Sequence, residues 1–234
     1  MSPLAVLGRS VRYLAPIAVV CALVMAPVAM FALGVKSPGN AKQAGVVLRV
    51  AWLCATSGML ALLVLVAGLA PILRAASLGR PLSQLAALGI GVRGLVRAIV
   101  PVVLVLCAVA MGLVALAVPG VLLYVLFVFA PASDASGLDA KLADSIAIVR
   151  VQWRSIASVI IATMFALAVV VAVQQLMLPI PLGKTPPKAQ LALFPQLVRI
   201  LATTMMGIVP IAALALASID ASVRANRAEP NADP

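Results

Sequence analysis

The sequence contains no histidine. Histidine is the residue most often used for acid–base catalysis at neutral pH and a frequent zinc and haem ligand, so its absence removes those kinds of site together. The three cysteines, Cys21, Cys54 and Cys107, lie singly within apolar stretches and form no C-x-x-C pair. We therefore expect no metal, no cofactor and no disulfide framework, and we interpret the cysteines as small apolar residues.

Charged residues are also scarce. They make up 10% of the chain, against about 25% in soluble proteins, whereas 65% of the residues are apolar and the mean hydropathy is +1.22. Such a composition cannot supply the polar surface of a soluble domain, but apolar runs of about 20 residues can cross the hydrocarbon of a bilayer. We predict an all-α fold, a polytopic transmembrane helical bundle with about six spans.

The predicted organisation is a cytoplasmic N-terminus, one helical membrane domain and a polar cytoplasmic tail. These regions are residues 1–13, 14–219 and 220–234. The predicted spans are residues 14–35, 45–73, 98–118, 121–133, 156–178 and 193–219. The first apolar stretch is longer than the roughly 7–15 residues of a signal-peptide core, so we expect it to be a retained span.

The apolar run from Ala98 to Ala130 contains Pro119 and Gly120, which indicate either a hairpin or a kink. Basic residues favour the cytoplasmic side in short loops, so the two topologies can be compared by counting them. Fifteen basic residues lie in the segments between or beyond the predicted spans. A hairpin places 11 of these 15 residues on the cytoplasmic side, whereas a kink places only 8 of them there. The count favours the hairpin, six spans, and both termini in the cytoplasm.

Basic residues number 17 against 6 acidic ones, a net charge of +11. They lie in short segments between apolar runs and aromatic residues are only 4%, which does not fit a nucleic-acid-binding surface. We expect anionic membrane lipids, and other membrane protein subunits, as partners. All six acidic residues are predicted to lie outside the apolar interior, which leaves no buried carboxylate for ion coupling or acid–base chemistry.

Two segments ahead of spans show apolar residues at helical spacing, which predicts two amphipathic helices on the cytoplasmic face. The first stripe is Leu85, Leu88, Val92, Leu95 and Ile99, and the second is Leu138, Leu142, Ile146, Val149 and Trp153. Both segments carry arginine pairs at the predicted membrane boundary, namely Arg93, Arg97, Arg150 and Arg154. These arginines are candidates for an anion or lipid-headgroup site, because guanidinium groups suit phosphate, or else they set the topology of the chain.

Two arginines and two glutamines stand out among the polar residues inside the predicted spans, namely Arg49, Arg199, Gln174 and Gln175. Charge within a membrane is costly and often functional, but an arginine near a boundary can extend to the interface. The glutamines either hydrogen-bond between helices or line a small polar cavity. We treat all four as candidate intramembrane polar residues, with helix packing and interface contact as the alternative.

A known family is similar to this chain over about residues 75–175. The matching residues are Arg80-Pro-Leu-Ser, Pro119-Gly120, Tyr124, Ala130-Pro131, Gly137, Ser145, Val149-Arg150 and Trp153-Arg154. This pattern resembles the membrane domain of bacterial glycerophosphodiester phosphodiesterases and its stand-alone integral membrane relatives. The acidic residue usual in that family's turn is not in register, since Asp134 and Asp139 flank its place. The resemblance implies a helical module of a bacterial inner membrane and not hydrolysis.

These observations predict a non-enzymatic integral inner-membrane protein that acts through lipid or partner-protein contacts, as a scaffold or an accessory subunit. The alternative is a carrier or exporter for a small or lipidic solute. Prolines within the predicted spans and the pair Gln174 and Gln175 would serve such a carrier.

Overall fold

The protein is all helical wherever its structure, a computed structural model, describes it. The described residues are 2–34, 36, 41–79, 81–115, 117–133, 137–177 and 188–228. Within these residues the α-helices are α1 (Pro3–Ser10), α2 (Leu14–Gly34), α3 (Ala41–Ser77), α4 (Gln84–Ala115), α5 (Ala117–Phe127), α6 (Leu138–Met177) and α7 (Lys188–Ala228). Short 3₁₀ helices lie at Val11–Tyr13 and Ala130–Ala132. The prediction of an all-α fold is confirmed for this part of the chain.

Within the described residues, five helices are long and apolar enough to cross a membrane by length and composition. They are Pro3–Gly34, Gly58–Ser77, Gln84–Gly112, Asp139–Val173 and Pro195–Arg227, and a shorter apolar helical segment lies at Pro119–Ala132. In the bilayer every backbone polar group must be paired within the protein, and long continuous helices meet that requirement. The chain therefore has the character of a multi-pass membrane protein.

The chain divides into two compact units. Unit 1 consists of Met1–Val24, Leu62–Ile160 and Pro210–Pro234, and unit 2 consists of Met25–Ala61 and Ile161–Val209. In unit 2, α3, α6 and α7 pack around Gly58, where an added Cβ atom would lie 3.0 Å from Leu167 Cδ1. Unit 1 contains Arg93, Arg97, Arg150 and Arg154.

Helices α3 and α4 approach each other closely in unit 1. A Cβ atom added to Gly94 would lie 2.5 Å from the carbonyl oxygen of Ala67, and one added to Gly91 would lie 3.3 Å from that of Gly68. Only glycine allows backbones to come this close, because any side chain at these positions would collide with the facing helix. Val20 of α2 completes the contact beside Gly68. This close packing fixes the end of α4 that carries Arg93 and Arg97.

The chain reverses direction between Gly112 and Gly120. A Cβ atom on Gly112 would lie 2.9 Å from Gly120 Cα, whereas eight residues of continuous helix would separate the two by about 12 Å. Pro119 and Gly120 themselves lie in the first turn of α5, so the reversal precedes them. Proline is tolerated in a first helical turn because an amide there has no carbonyl partner within the helix.

The first predicted amphipathic segment does not form a separate helix, whereas the second is set off by a kink from the apolar part that follows it. The first is the beginning of α4, which continues without interruption into its apolar part, and the second is the beginning of α6. In α6 the backbone leaves helical geometry once, at Gln152 (φ −126°, ψ 27°), which marks a kink between the polar and apolar parts. The apolar stripe at the beginning of α4 does not face the interior of the protein at its two ends, since Leu85 is 81% exposed and Ile99 is 61% exposed.

A buried ionic network and a basic pocket

A fully buried carboxylate lies near the end of α7. Asp220 is 0% exposed, and its two oxygens accept from two different arginines. Arg74 Nε at the end of α3 donates to Oδ2 at 2.7 Å, and Arg224 Nε, one turn further along α7, donates to Oδ1 at 3.0 Å. The prediction that every acidic residue lies outside the apolar interior is therefore wrong. Helix α7 continues past the predicted boundary at residue 219, and its buried face continues with it.

The same arginines extend the network to two further segments. Arg74 also donates to the carbonyl oxygen of Ala132, at 2.7 Å, in the 3₁₀ helix that follows α5. Arg224 reaches Asp144 on α6, and the hydroxyl of Ser133 donates to the same carboxylate oxygen at 2.8 Å. Charged donors and acceptors make hydrogen bonds about twice as strong as neutral ones. The network therefore fastens α3, the 3₁₀ helix, α6 and α7 to one another.

Arg227 adds an outer contact to this network. Its Nη1 lies 3.9 Å from Asp144 Oδ1, and its Nη2 donates to the carbonyl oxygen of Ala147 at 3.1 Å. Its side chain is 45% exposed, compared with 20% for Asp144, so water screens this pair more than the inner ones. The strength of the network thus declines from Asp220 outward.

A buried hydroxyl fixes the segment between α5 and the 3₁₀ helix. Ser145 Oγ accepts from the amide of Phe129 at 3.2 Å and donates to the carbonyl oxygen of Leu126 at 2.7 Å. The chain leaves helical geometry there, and a backbone group that is buried without a partner is costly. Ser145 satisfies both groups from α6 and thereby positions Ala132 and Ser133.

A pocket of about 320 Å³ lies beside the network in unit 1. Three basic side chains line it, namely Arg93 and Arg97 from α4 and Lys141 from the first turn of α6. The remaining lining residues are Ala67, Pro71, Ile90, Gly94, Pro131, Ala132 and Ser133. Among the lining residues no carboxylate opposes the three cations, so the arrangement can attract an anion.

The structure brings together only part of the predicted arginine cluster. Arg93 and Arg97 share the pocket, whereas Arg150 and Arg154 are exposed further along α6 and do not line it. Arg154 instead lies over the ring of Trp153, 5.7 Å from its centroid. Sequence reasoning missed Lys141 as a site residue, although it stands one helical turn after Gly137, which immediately precedes α6.

The other predicted polar residues belong to unit 2. Arg199 is exposed on α7, and the hydroxyl of Thr203 donates to its carbonyl oxygen at 2.9 Å. The side chains of Arg49, Gln174 and Gln175 lie outside the described part of the structure, so their roles stay predictions. Among the described residues, no group of three or more histidine, cysteine or acidic side chains is placed to hold a metal ion.

No protein-family model matches the chain, and no curated protein and no solved structure is significantly similar to it. The resemblance of residues 75–175 to the membrane domain of glycerophosphodiester phosphodiesterases accordingly stays a prediction.

Proposed function

We propose that this chain is a non-enzymatic integral membrane protein of the bacterial inner membrane that acts through contacts with anionic lipid or a partner protein. In this proposal it has six crossings, with both termini in the cytoplasm. The observation that carries the proposal is the basic pocket of unit 1. Arg93 and Arg97 stand where α4 passes from its polar start into its apolar part, a position at which a lipid headgroup can reach them.

Geometry near the pocket supports the proposed topology. The reversal between Gly112 and Gly120 brings the chain back along α4, and contacts between α4 and the 3₁₀ helix Ala130–Ala132 continue that return. Two antiparallel crossings in this region, added to the four other proposed spans, give the even total of six. An even total puts both chain ends on one side, and the excess of basic residues identifies that side as the cytoplasm.

Lipid retention tests the proposal. We expect the protein, extracted from mixed nanodiscs, to keep anionic phospholipid in preference to zwitterionic phospholipid when examined by native mass spectrometry. The double variant Arg93→Gln, Arg97→Gln should lose most of this preference because it removes two headgroup-binding charges. Equal retention of both lipid classes by the unchanged protein would refute lipid contact as its function. Measurable turnover that a single substitution abolishes would refute the non-enzymatic assignment.

Topology has a separate test. Reporter tags at the two ends of the chain should both be protected from reagents added outside intact cells. One accessible end and one protected end would refute the even number of crossings.

A further inference from the structure

We infer that the pocket between α4 and α6 is a specific site for one phosphate-bearing anion, held jointly by Arg93, Arg97 and Lys141. The inference rests on the proposed function and narrows it from general attraction to anionic lipid to a single saturable site. The phosphate belongs either to a lipid headgroup or to a small soluble molecule. Both sources present the same chemistry to the three side chains.

The charges of the pocket are the first argument. Within the described residues, Arg93, Arg97 and Lys141 form no hydrogen bond or ion pair through their side chains. Arg93 and Arg97 are four residues apart on one helix, a spacing at which like charges repel. Lys141 stands in the first turn of α6, where the partial positive charge of the helix end adds to the repulsion. A bound anion would relieve both repulsions at once.

The contrast with the neighbouring network is the second argument. Arg74, less than two turns from Ala67 at the pocket wall, is neutralised by Asp220 within the protein. The same fold therefore pairs its buried arginine but leaves the three pocket cations without a carboxylate among the described residues. Unpaired cations that converge on a cavity are the arrangement expected of an anion site.

The shape and walls of the pocket are the third argument. Its volume of about 320 Å³ is at the small end of ligand pockets, which run from about 300 to 1,000 Å³. That volume suits a phosphate monoester with a short substituent. Ile90, Pro71 and Pro131 supply apolar wall next to the cations, as a ligand with a polar end and a less polar remainder requires.

The experiment measures binding to the full chain in detergent by thermal denaturation. Three probes are titrated separately, namely inorganic phosphate, dihexanoyl phosphatidic acid below its micellar concentration, and dihexanoyl phosphatidylcholine. A ligand that binds only the folded protein raises the denaturation temperature in a saturable way. We expect saturable stabilisation by phosphatidic acid, by inorganic phosphate or by both, and none by phosphatidylcholine.

Variants locate the site. Arg93→Gln and Lys141→Gln should each raise the apparent Kd about tenfold or more, because each removes a charged hydrogen-bond donor. Arg150→Gln and Arg154→Gln are the matched controls, since they remove exposed arginines of α6 outside the pocket, and they should leave the Kd unchanged. Two substitutions on different helices make a general folding defect distinguishable from loss of the site.

Each outcome has a definite meaning. Stabilisation by inorganic phosphate alone identifies a soluble phosphate compound as the source, and stabilisation by phosphatidic acid alone identifies a lipid headgroup. Either result supports the site if Lys141→Gln weakens it. No stabilisation by either probe, or an equal loss in Arg150→Gln, overturns the inference. Selective retention of anionic lipid in nanodiscs would then still stand, so failure of the site is distinguishable from failure of the proposed function.

Discussion

Replacing Asp220 with alanine tests whether the buried network holds the helix ends together. The substitution removes the two carboxylate oxygens that accept from Arg74 and Arg224, at a site with no access to water. Opposite charges about 4 Å apart attract by about 4 kcal/mol at an effective dielectric constant of 20, and desolvation offsets much of that gain. The larger effect comes from the cations left behind, and breaking a buried pair costs roughly 3–5 kcal/mol. We expect a loss near 3 kcal/mol, because Arg224 is 24% exposed and keeps Asp144.

The assay is unfolding in mixed detergent micelles with an increasing mole fraction of sodium dodecyl sulfate, followed by circular dichroism. Asp139→Ala is the matched control, since it removes a carboxylate that is exposed in the first turn of α6. The control should lose less than about 1 kcal/mol, the usual magnitude for a charge at a helix end. Equal losses in the two variants would refute the reasoning, because burial would then make no difference.

A double substitution separates lost pairing from lost packing. Arg74→Met combined with Asp220→Leu removes both charges and fills their volume with apolar atoms. Replacing a buried ion pair in this way is often neutral or stabilising, whereas each single substitution strands a charge. We therefore expect the double variant to be more stable than the sum of the two single losses predicts. Strictly additive losses would show that the two side chains do not act as a pair.

Two further pairs of variants probe packing by the same titration. Gly94→Ala should lose about 1–3 kcal/mol because its Cβ atom would lie 2.5 Å from a carbonyl oxygen of α3; Gly89→Ala has nothing within 4 Å and should gain about 0.5–1 kcal/mol. Equal effects of the two would contradict the close approach of α3 and α4. Ser145→Ala should lose about 1–3 kcal/mol by removing the partner of the Phe129 amide and of the Leu126 carbonyl at the end of α5. Ser158→Ala, which replaces an exposed serine, should differ little from the unchanged protein. A harmless Ser145→Ala would mean that the hydroxyl does not support that segment.

The helices themselves could be predicted because their signal is local. Apolar runs of bilayer length identify helical segments without knowledge of partners, and the described elements are all helical. Helix ends were harder to predict. Helix α7 extends to Ala228 because Ala221, Val223 and Ala225 continue its buried face beyond the last strongly apolar stretch. A span predicted from hydropathy ends at the first charged residue, whereas the helix itself continues for as long as its side chains pack against neighbouring helices.

The burial of Asp220 could not be predicted in the same way. Its partner Arg74 is 146 positions away, and the residues next to either one in the sequence do not indicate that the two side chains pair. One signal was present. Ser218, Ala221 and Ser222 surround Asp220 with small side chains, and such residues mark places where helices approach closely. An acidic residue embedded among them is a candidate for burial with a basic partner.

Counting charges along the chain treats all arginines alike, but the fold gives them two different roles. Two carboxylates, Asp144 and Asp220, lie close enough to pair with Arg74, Arg224 and Arg227, which makes those arginines structural. The pocket lies beside Ser133, whose hydroxyl belongs to the network, yet its own cations receive no such carboxylate from the described residues. In the described part of the chain Asp144 and Asp220 hold helix ends, so neither carboxylate neutralises the three cations of the pocket.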